Sequence, residues 1–231
     1  MGLLGDAKKI ASRDPAARSV VGVILLYPGF HALVYHKISH FFYKLGLKGI
    51  ARCSSQIARF WTGIEIHPGA QIGDGLFIDH GMGVVIGETA IIGNDCTIYH
   101  GVTLGGRGHD KSHKRHPTLE DNVLVGAGAK ILGNVVIGEN SNIGANAVIL
   151  YDVPKNSTVV GVPGKVVKKD GQKPDKSHAV ELDHAAIPDP LEQEVCMLNK
   201  RVHELEKLMK LTLEDQKDDR CCDKTSEETL E

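Results

Sequence analysis

Aliphatic residues recur at every sixth position through the middle of the chain. This spacing fits neither the 3.6-residue period of a helix nor the two-residue period of a strand. A glycine directly follows many of these residues. A six-residue period predicts a solenoid of short parallel strands, with three sides per coil and one aliphatic side chain per side directed into a narrow interior. The aliphatic positions, which slip by two residues after Val84, are Ile66, Ile72, Ile78, Val84, Ile86, Ile92, Ile98, Leu104, Leu119, Val125, Ile131, Ile137, Ile143 and Ile149.

A β-sandwich rich in Ile and Val is the alternative to a solenoid. Its strands would alternate with a period of two and would carry no fixed glycine spacing, so the repeat favours the parallel β-helix. The repeat is interrupted between Leu104 and Leu119 by the polar stretch GGRGHDKSHKRHPT. Loops extruded from a regular scaffold commonly carry function. We therefore expect residues 105–118 to form an extruded functional loop.

The chain divides into four parts by its pattern. Residues 1–62 are predicted to be helical, with a helix beginning at Asp14-Pro15 and a second helical stretch from about His31 to Trp61. The β-helix is predicted over residues 63–167, and the polar, proline-bearing residues 168–190 are predicted to be a linker. Residues 191–231 are predicted to form an amphipathic helix and a charged tail, the helix lying either on its own subunit or across a symmetric oligomer. Its heptad-like positions are Leu191, Val195, Leu198, Val202, Leu205 and Met209.

Charge, hydropathy and cysteine content restrict the cellular compartment and the classes of partner to be expected. The chain has 27 basic and 29 acidic residues, without the concentrated basic face that nucleic acid requires. The apolar run from Val20 to Tyr27 is too short to span a bilayer, and no signal-peptide cleavage site follows the Lys8-Lys9 flank. The five cysteines are scattered without metal-binding spacing, as is usual for reduced thiols. We expect a cytoplasmic protein that binds neither nucleic acid nor membrane.

Several motifs in the first 170 residues resemble those of the serine acetyltransferases. The resemblance implies a left-handed β-helix of the hexapeptide-repeat acyltransferases, in a short form that largely lacks the helical domain found ahead of RDPA in longer members. It also implies transfer of the acetyl group of acetyl-CoA to the hydroxyl of L-serine, giving O-acetylserine for cysteine biosynthesis. The motifs are RDPA at 13–16, PGFHAL at 28–33, IEIHPGAQIGDGLFIDHGMGVVIGETAIIGND at 64–95, YHGVTLGG at 99–106, KRHPTLED at 114–121, GAGAKILGNVVIG at 126–138 and GVPGK at 161–165.

The resemblance assigns the catalytic base to His80 in IDHG. Imidazole accepts a proton near neutral pH, and a hydroxyl is a poor nucleophile until its proton is removed. A carboxylate that fixes the tautomer of the imidazole improves such a base. Glu65, where many relatives have aspartate, is expected to be this partner. Asp79 is the weaker candidate, because neighbouring side chains in a strand point to opposite faces.

Both substrates have expected binding residues. By resemblance, Arg115 and His116 bind the carboxylate of serine and Asp14 and Asp79 bind its ammonium, with a helix cap as the alternative role of Asp14. Acetyl-CoA is expected along the coils, and no metal is expected. The positions assigned to acetyl-CoA are Gly105, Ala127, Ala145 and Lys165.

The resemblance also carries expectations about partners. Because extruded loops of such solenoids usually complete a neighbouring subunit's site, we expect a homotrimer or a hexamer. The resemblance also implies that L-cysteine is a feedback inhibitor. Family members often dock a tail ending in isoleucine into cysteine synthase, the enzyme that consumes O-acetylserine. This sequence ends in Glu228-Thr229-Leu230-Glu231, so the resemblance does not extend to a cysteine synthase complex.

Three other functions are open from the sequence. An acetyltransferase acting on a sugar or an antibiotic would also use a histidine base, but it would not need RDPA, IDHG and KRHP together. A non-enzymatic interaction partner is the second alternative. The third is a zinc enzyme of the carbonic-anhydrase type, which needs three histidine ligands on facing coils. Its candidate ligands are His80, His100, His109, His113 and His116.

Overall fold

A computed structural model of the protein describes residues 2–107, 114–170, 198–199 and 201–205. Helices precede a parallel β-solenoid. The chain divides into two compact units, Met1–Ile187 and Pro188–Glu231. In the second unit, residues 198–199 and 201–205 are helical, and the rest of the predicted linker and C-terminal helix lies almost entirely outside the described residues. The helices of the first unit are α1 (Leu3–Arg13), α2 (Val20–Leu26), α3 (Pro28–Lys44) and α4 (Lys48–Thr62).

Asp14 ends a helix and does not begin one, so the predicted helix start at Asp14-Pro15 is wrong. The backbone N–H of Asp14 donates to the carbonyl of Ile10 at the end of α1. Its carboxylate accepts a hydrogen bond from the N–H of Ala16 at 2.8 Å. A carboxylate bonded to the backbone two residues on forms a turn, which leads the chain away from the helix. The cap of the next helix is Ser19, whose hydroxyl accepts from Gly22 at 3.0 Å.

The helical stretch predicted from His31 to Trp61 is two helices. α3 already begins at Pro28, since proline suits the first turn of a helix. It ends at Lys44, and Gly46 follows with a φ of +79°. A left-handed glycine just after a helix is a common helix terminator. Among the described helices no single one has the length and apolar composition to cross a membrane, and α2 and α3 meet this requirement only as a pair bent by 70°.

The strands form three sheets, one for each side of the coil, as the six-residue period predicted. The first sheet contains β1, β4, β7, β10 and β13, the second contains β2, β5, β8 and β11, and the third contains β3, β6, β9, β12, β14 and β15. All strand pairs are parallel except β14 with β15. The strands are β1 (Glu65–Ile66), β2 (Gln71–Ile72), β3 (Phe77–Asp79), β4 (Val85–Ile86), β5 (Ile91–Ile92), β6 (Thr97–Tyr99), β7 (Thr103–Gly105), β8 (Thr118–Leu119), β9 (Leu124–Val125), β10 (Lys130–Leu132), β11 (Val136–Ile137), β12 (Asn142–Ile143), β13 (Val148–Ile149), β14 (Ser157–Val160) and β15 (Lys165–Lys169).

The aliphatic residues of the repeat form the core. All but Ile72 are buried, and Ile72 packs against the others. Burying such a side chain contributes roughly 1.5–3 kcal/mol, so the stacked interior is the main source of stability in this part of the chain. The loop leaves the solenoid where it was predicted, because β7 ends at Gly105 and β8 begins at Thr118.

Two corners of the solenoid matter for the site. The first corner joins the third sheet to the first and consists of residues 80–84, 100–102, 126–129 and 144–147. The second corner joins the first sheet to the second and consists of residues 67–70, 87–90, 106–117 and 133–135, of which 108–113 are not described. Backbone hydrogen bonds stack the first corner from coil to coil. They run from Gly101 to Met82 at 2.9 Å, from Gly128 to His100 at 2.8 Å and from Asn146 to Ala127 at 2.8 Å.

Candidate active site

His80 lies on the first corner, directly after β3. Its φ is +51°, a left-handed conformation that is uncommon outside glycine, and its side chain is 81% exposed. The Nε2 atom lies 3.6 Å from Oδ1 of Asp79, which is too long for a hydrogen bond. The expectation that Asp79 points away from His80 is therefore wrong. The alternation of side chains applies within a strand, and β3 ends at Asp79.

Asp79 is surrounded by other titratable groups. Burial raises the pKa of its carboxyl group, the charge of His80 lowers it and the charge of Asp14 raises it. The hydroxyl of Tyr27 donates to Oδ2 of Asp14 at 2.5 Å. This hydrogen bond, with burial and the charges of the two aspartates, raises the pKa of Tyr27 to about 12. Asp79 therefore lies beside the exposed imidazole of His80, and Asp14 lies near enough to Asp79 for its charge to act on it.

Tyr27, Tyr99 and His100 lie near Asp79 or Asp14 and were not predicted as members of the substrate site, although His100 was named as a candidate zinc ligand. Tyr99 stands opposite Asp79 across β3 and β6. Burial raises the pKa of Tyr99, and the charges of Asp79 and Asp14 raise it further. His100, on the next coil of the first corner, lowers the pKa of Asp79. The register of the repeat was the signal that could have found Tyr99 and His100, because a residue twenty positions after Asp79 or His80 occupies the same side one coil later. We call these residues, with Asp14, Asp79 and His80, the His80 group.

His116 lies on the second corner and is almost fully buried, with 7% of the residue exposed. The backbone N–H of Thr89 donates to its Nδ1 at 3.2 Å, and the Thr89 hydroxyl lies 2.9 Å from the same atom. Since Nδ1 accepts the N–H, the neutral imidazole carries its proton on Nε2. Burial lowers the pKa of His116, as do the charges of Arg115 and Lys114.

The base of the extruded loop is fastened to the same corner. The Lys114 ammonium donates to the carbonyl oxygens of Thr89 at 2.7 Å and Pro117 at 3.2 Å, and also to that of His116. The backbone N–H of Arg115 donates to the Thr89 hydroxyl at 3.1 Å. These bonds fix the backbone on both sides of Arg115, the residue expected to bind a carboxylate.

Glu65 lies in β1, on the first sheet between the two corners. Its carboxylate accepts from Arg52 at 2.8 Å and pairs with Arg59 at 2.9 Å. Burial lowers the pKa of His67. The charges of Glu88 and Glu65 raise this pKa, and those of Arg52 and Arg115 lower it. Among the described residues no contact joins Glu65 to His80. We call Glu65, His67, Glu88, Thr89, Arg115 and His116 the His116 group.

The predicted site residues are thus divided between two corners of one chain. His80 and Asp79 are at the first corner with Asp14 near Asp79, whereas Arg115 and His116 are at the second corner. Glu65 is on the first sheet, between the two corners, and its charge acts on His67 of the second corner. Each group contains only some of the catalytic and substrate-binding residues that the sequence predicted.

The positions expected to bind acetyl-CoA are spread along the coils. Ala127 and Ala145 lie on the first corner, on the two coils that follow that of His100. Gly105 ends β7 opposite Leu132, and its carbonyl accepts from Gly133 at 3.0 Å. Lys165 begins β15 and is exposed.

A metal site was one alternative raised by the histidines. In residues 2–107, 114–170, 198–199 and 201–205, no three His, Cys, Asp or Glu side chains are grouped so that they could hold a metal ion. His109 and His113 lie outside the described residues.

Comparison with known sequences gives two independent matches. Residues 116–150 match the family model described as bacterial transferase hexapeptide (six repeats). Over 204 residues the chain is 54% identical to the serine acetyltransferase of Synechococcus elongatus, which covers 88% of this chain and 81% of the relative.

Solved structures agree with the sequence match. A crystal structure of Neisseria gonorrhoeae serine acetyltransferase in complex with serine is 44% identical with a TM-score of 0.69, covering 72% of this chain and 67% of that one. A serine acetyltransferase in complex with cysteine is 41% identical with a TM-score of 0.70, covering 72% and 64%. The chain therefore spans about two thirds of the length of these solved chains. The left-handed β-helix expected from the resemblance is confirmed. With the repeat and these matches in agreement, the chain belongs to the serine acetyltransferase family of hexapeptide-repeat acyltransferases.

Proposed function

We propose that the protein transfers the acetyl group of acetyl-CoA to the hydroxyl of L-serine, with His80 as the general base. The observation that carries this proposal is the exposed imidazole of His80 beside the carboxylate of Asp79, which is in turn within electrostatic reach of the carboxylate of Asp14. An exposed imidazole is available to a substrate, and the two carboxylates suit the ammonium group of an amino acid.

The reaction needs one base and no permanent change in the protein. The imidazole of His80 takes the proton of the serine hydroxyl while the oxygen attacks the thioester carbonyl carbon. The tetrahedral oxyanion then collapses and the carbon–sulfur bond breaks. The departing thiolate of CoA takes the proton from the imidazolium, which leaves O-acetylserine, CoA and neutral His80. Backbone N–H groups of the coil are suitable donors to the oxyanion.

Serine is recognised by both groups of residues. Asp14 and Asp79 bind the ammonium, and Arg115 and His116 bind the carboxylate. The Nε2–H of His116 is a fitting donor, because Thr89 occupies Nδ1 and leaves Nε2 for an acceptor. An arginine beside it adds a bidentate, charge-assisted contact.

The division between corners supports a site shared between subunits. We propose a homotrimer, either alone or doubled to a hexamer, in which the His80 group of one chain faces the His116 group of the next. Glu65 of one chain would then reach the imidazole of its neighbour's His80 and stabilise the imidazolium during proton transfer. This arrangement accounts for the absence of a contact between Glu65 and His80 among the described residues of one chain.

Acetyl-CoA is proposed to lie along the first corner, beyond His80. Ala127 and Ala145 present small side chains there, so a pantetheine arm can approach the backbone. Gly105 offers the same close approach at the far end of β7. Lys165, exposed at the start of β15, is a suitable partner for a phosphate of the nucleotide.

Cysteine is the expected competitor of serine. It carries the same ammonium and carboxylate with a thiol in place of the hydroxyl, and a related structure holds cysteine. Inhibition by cysteine suits an enzyme that supplies cysteine biosynthesis. We place the enzyme in the cytoplasm, where thiols such as Cys53 and Cys96, free in the structure, stay reduced.

A substrate panel tests the proposal. Consumption of acetyl-CoA is measured with serine, threonine, homoserine and amino sugars, for the wild type and for His80→Asn. Asparagine tolerates the left-handed backbone of position 80 but cannot act as a base. We expect serine to be preferred and the substitution to lower kcat by about 10²–10⁴-fold. Near-normal turnover of His80→Asn, or preference for an amino sugar, would contradict the proposal.

A further inference from the structure

The carboxylate of Glu65 is bound by two arginines from a single helix. Arg52 and Arg59 are seven residues apart in α4, two helical turns, so they lie on the same face. Arg52 bonds Oε1 at 2.8 Å and Arg59 pairs with Oε2 at 2.9 Å. The Glu65 side chain is only 17% exposed. Each carboxylate oxygen therefore has its own guanidinium, and the carboxylate is fixed in rotation as well as in position.

We propose that Arg52 and Arg59 are positioning residues that hold Glu65 in the orientation in which it assists the histidine base. This inference rests on the proposed function. The two arginines do not touch substrate or cofactor in it. They act on the reaction through the carboxylate of Glu65 alone.

The geometry leaves the carboxylate able to serve a histidine. A carboxylate has about four lone-pair sites, and one arginine per oxygen leaves a site free on each. An imidazole N–H of a neighbouring chain can therefore be accepted without breaking either ion pair.

The arrangement also accounts for the length of the side chain at 65. Both arginines extend from α4, which packs against β1. The carboxylate meets them at the end of a glutamate arm, and an aspartate arm is one methylene shorter. Glu65→Asp should therefore lose at least one of the two ion pairs, although the charge is unchanged.

Arg52 has a further unusual feature. Its Nη1 atom is buried and has no hydrogen-bond acceptor among the described residues. A buried donor without an acceptor is unfavourable for folding, and the ion pair that Nη2 of the same guanidinium makes with Glu65 offsets this cost.

The opposite effect is also possible on geometric grounds. Two arginines that bind Glu65 too firmly would withdraw it from the histidine and slow the reaction. The two effects differ in sign. Removing a positioning arginine lowers kcat, whereas removing a withdrawing arginine raises it.

A double-mutant cycle on the full-length protein tests the inference. Arg52→Gln, Arg59→Gln and the double variant are made in the wild type and in Glu65→Gln, and kcat with serine is measured. We expect each arginine change to lower kcat about 3–10-fold in the wild type and to have almost no further effect in Glu65→Gln, because residues acting through one group are not additive. The KM for acetyl-CoA should stay unchanged, and Arg52→Lys and Arg59→Lys should recover part of the loss.

Controls separate this role from a purely structural one. Lys44→Gln removes one positive charge from the exposed end of α3 and should leave kcat unchanged. Thermal unfolding of every variant reports folding independently of rate. Losses that multiply equally in both backgrounds would overturn the inference, as would unchanged or increased kcat. If Glu65→Gln keeps full activity while His80→Asn is inactive, this inference fails and the proposed function stands. If His80→Asn is active, the proposed function itself fails.

Discussion

Thr89 fixes the tautomer of His116, since both its backbone N–H and its hydroxyl lie within hydrogen-bond distance of Nδ1. The same hydroxyl accepts from the backbone N–H groups of Arg115 and His116 at 3.1 and 3.2 Å. One threonine thus orients a neutral histidine and the loop that carries it. Because burial lowers the pKa of His116, its Nε2–H acts as an uncharged donor near neutral pH.

Removal of the Thr89 hydroxyl should weaken serine binding. In Thr89→Val the backbone N–H still reaches Nδ1, but the contacts to the hydroxyl are lost. A net hydrogen bond contributes about 1 kcal/mol, so we expect the KM for serine to rise about 5–10-fold. Thr89→Ser retains the hydroxyl and is the matched control. Equal KM values for the valine and serine variants would show that the hydroxyl has no part in binding.

The backbone at Gly87 is packed directly against His116. A Cβ atom added there would lie 2.0 Å from Cδ2 and 2.2 Å from Nε2 of the ring. Gly87→Ala must therefore displace the imidazole, and we expect kcat/KM for serine to fall about 10–100-fold, the range for a displacement near 1 Å. Gly49→Ala in α4 adds a Cβ with nothing within 4 Å and should be neutral or slightly stabilising. An unimpaired Gly87→Ala enzyme would exclude His116 from the site.

A site shared between subunits predicts complementation between inactive variants. His80→Asn retains the His116 group, and His116→Ala retains the His80 group. In a cyclic trimer co-expressed at equal levels, about a quarter of the sites would combine two intact groups. We expect each variant alone to be nearly inactive and the mixture to regain activity toward that fraction. A mixture no more active than its components would place both groups in one chain's site.

His36 should make folding sensitive to acid. It is 6% exposed, and burial lowers its pKa to about 3 from 6.5. Its neutral form therefore contributes stability that is complete above pH 6.5 and is lost as the pH falls toward 3, at up to about 1.4 kcal/mol per pH unit. His36→Leu removes this protonation and should shift acid unfolding to lower pH. Denaturation by urea at pH 7 and pH 4.5 measures the effect, and an equal loss of stability in both proteins would contradict it.

The solenoid was predictable because its signal is local. An aliphatic residue at a repeat position, such as Ile98 or Ile131, indicates that its side chain points into the interior. A fixed spacing of such residues therefore predicts the coil without knowledge of distant contacts. The loop was predictable for the same reason, as a break in that spacing. Asp14 was misjudged because an aspartate before proline suits a helix start, a helix end or a turn equally well, and the helix on its N-terminal side decides among them.

The site was only partly predictable, because its arrangement depends on which corner each residue occupies. His80 and Glu65 belong to recognisable motifs, but the sequence does not say that His80 lies at one corner, that His116 lies at another and that Glu65 lies on the sheet between them. Arg52 and Arg59 could not be found by motif, since they reach Glu65 from a helix. The position of Asp79 was misjudged because the end of β3 cannot be located to a single residue from a pattern.

Along the stacked first corner, the distance between two equivalent positions is a whole number of coil spacings. Adjacent strands are about 4.8 Å apart, and His80 and Ala145 are separated by three coils, so the corner measures about 14 Å between them. Deleting a whole coil would shorten this length by one step and leave every remaining side chain facing as before. The length of surface available to a long, thin ligand along this corner is thus set by the number of coils.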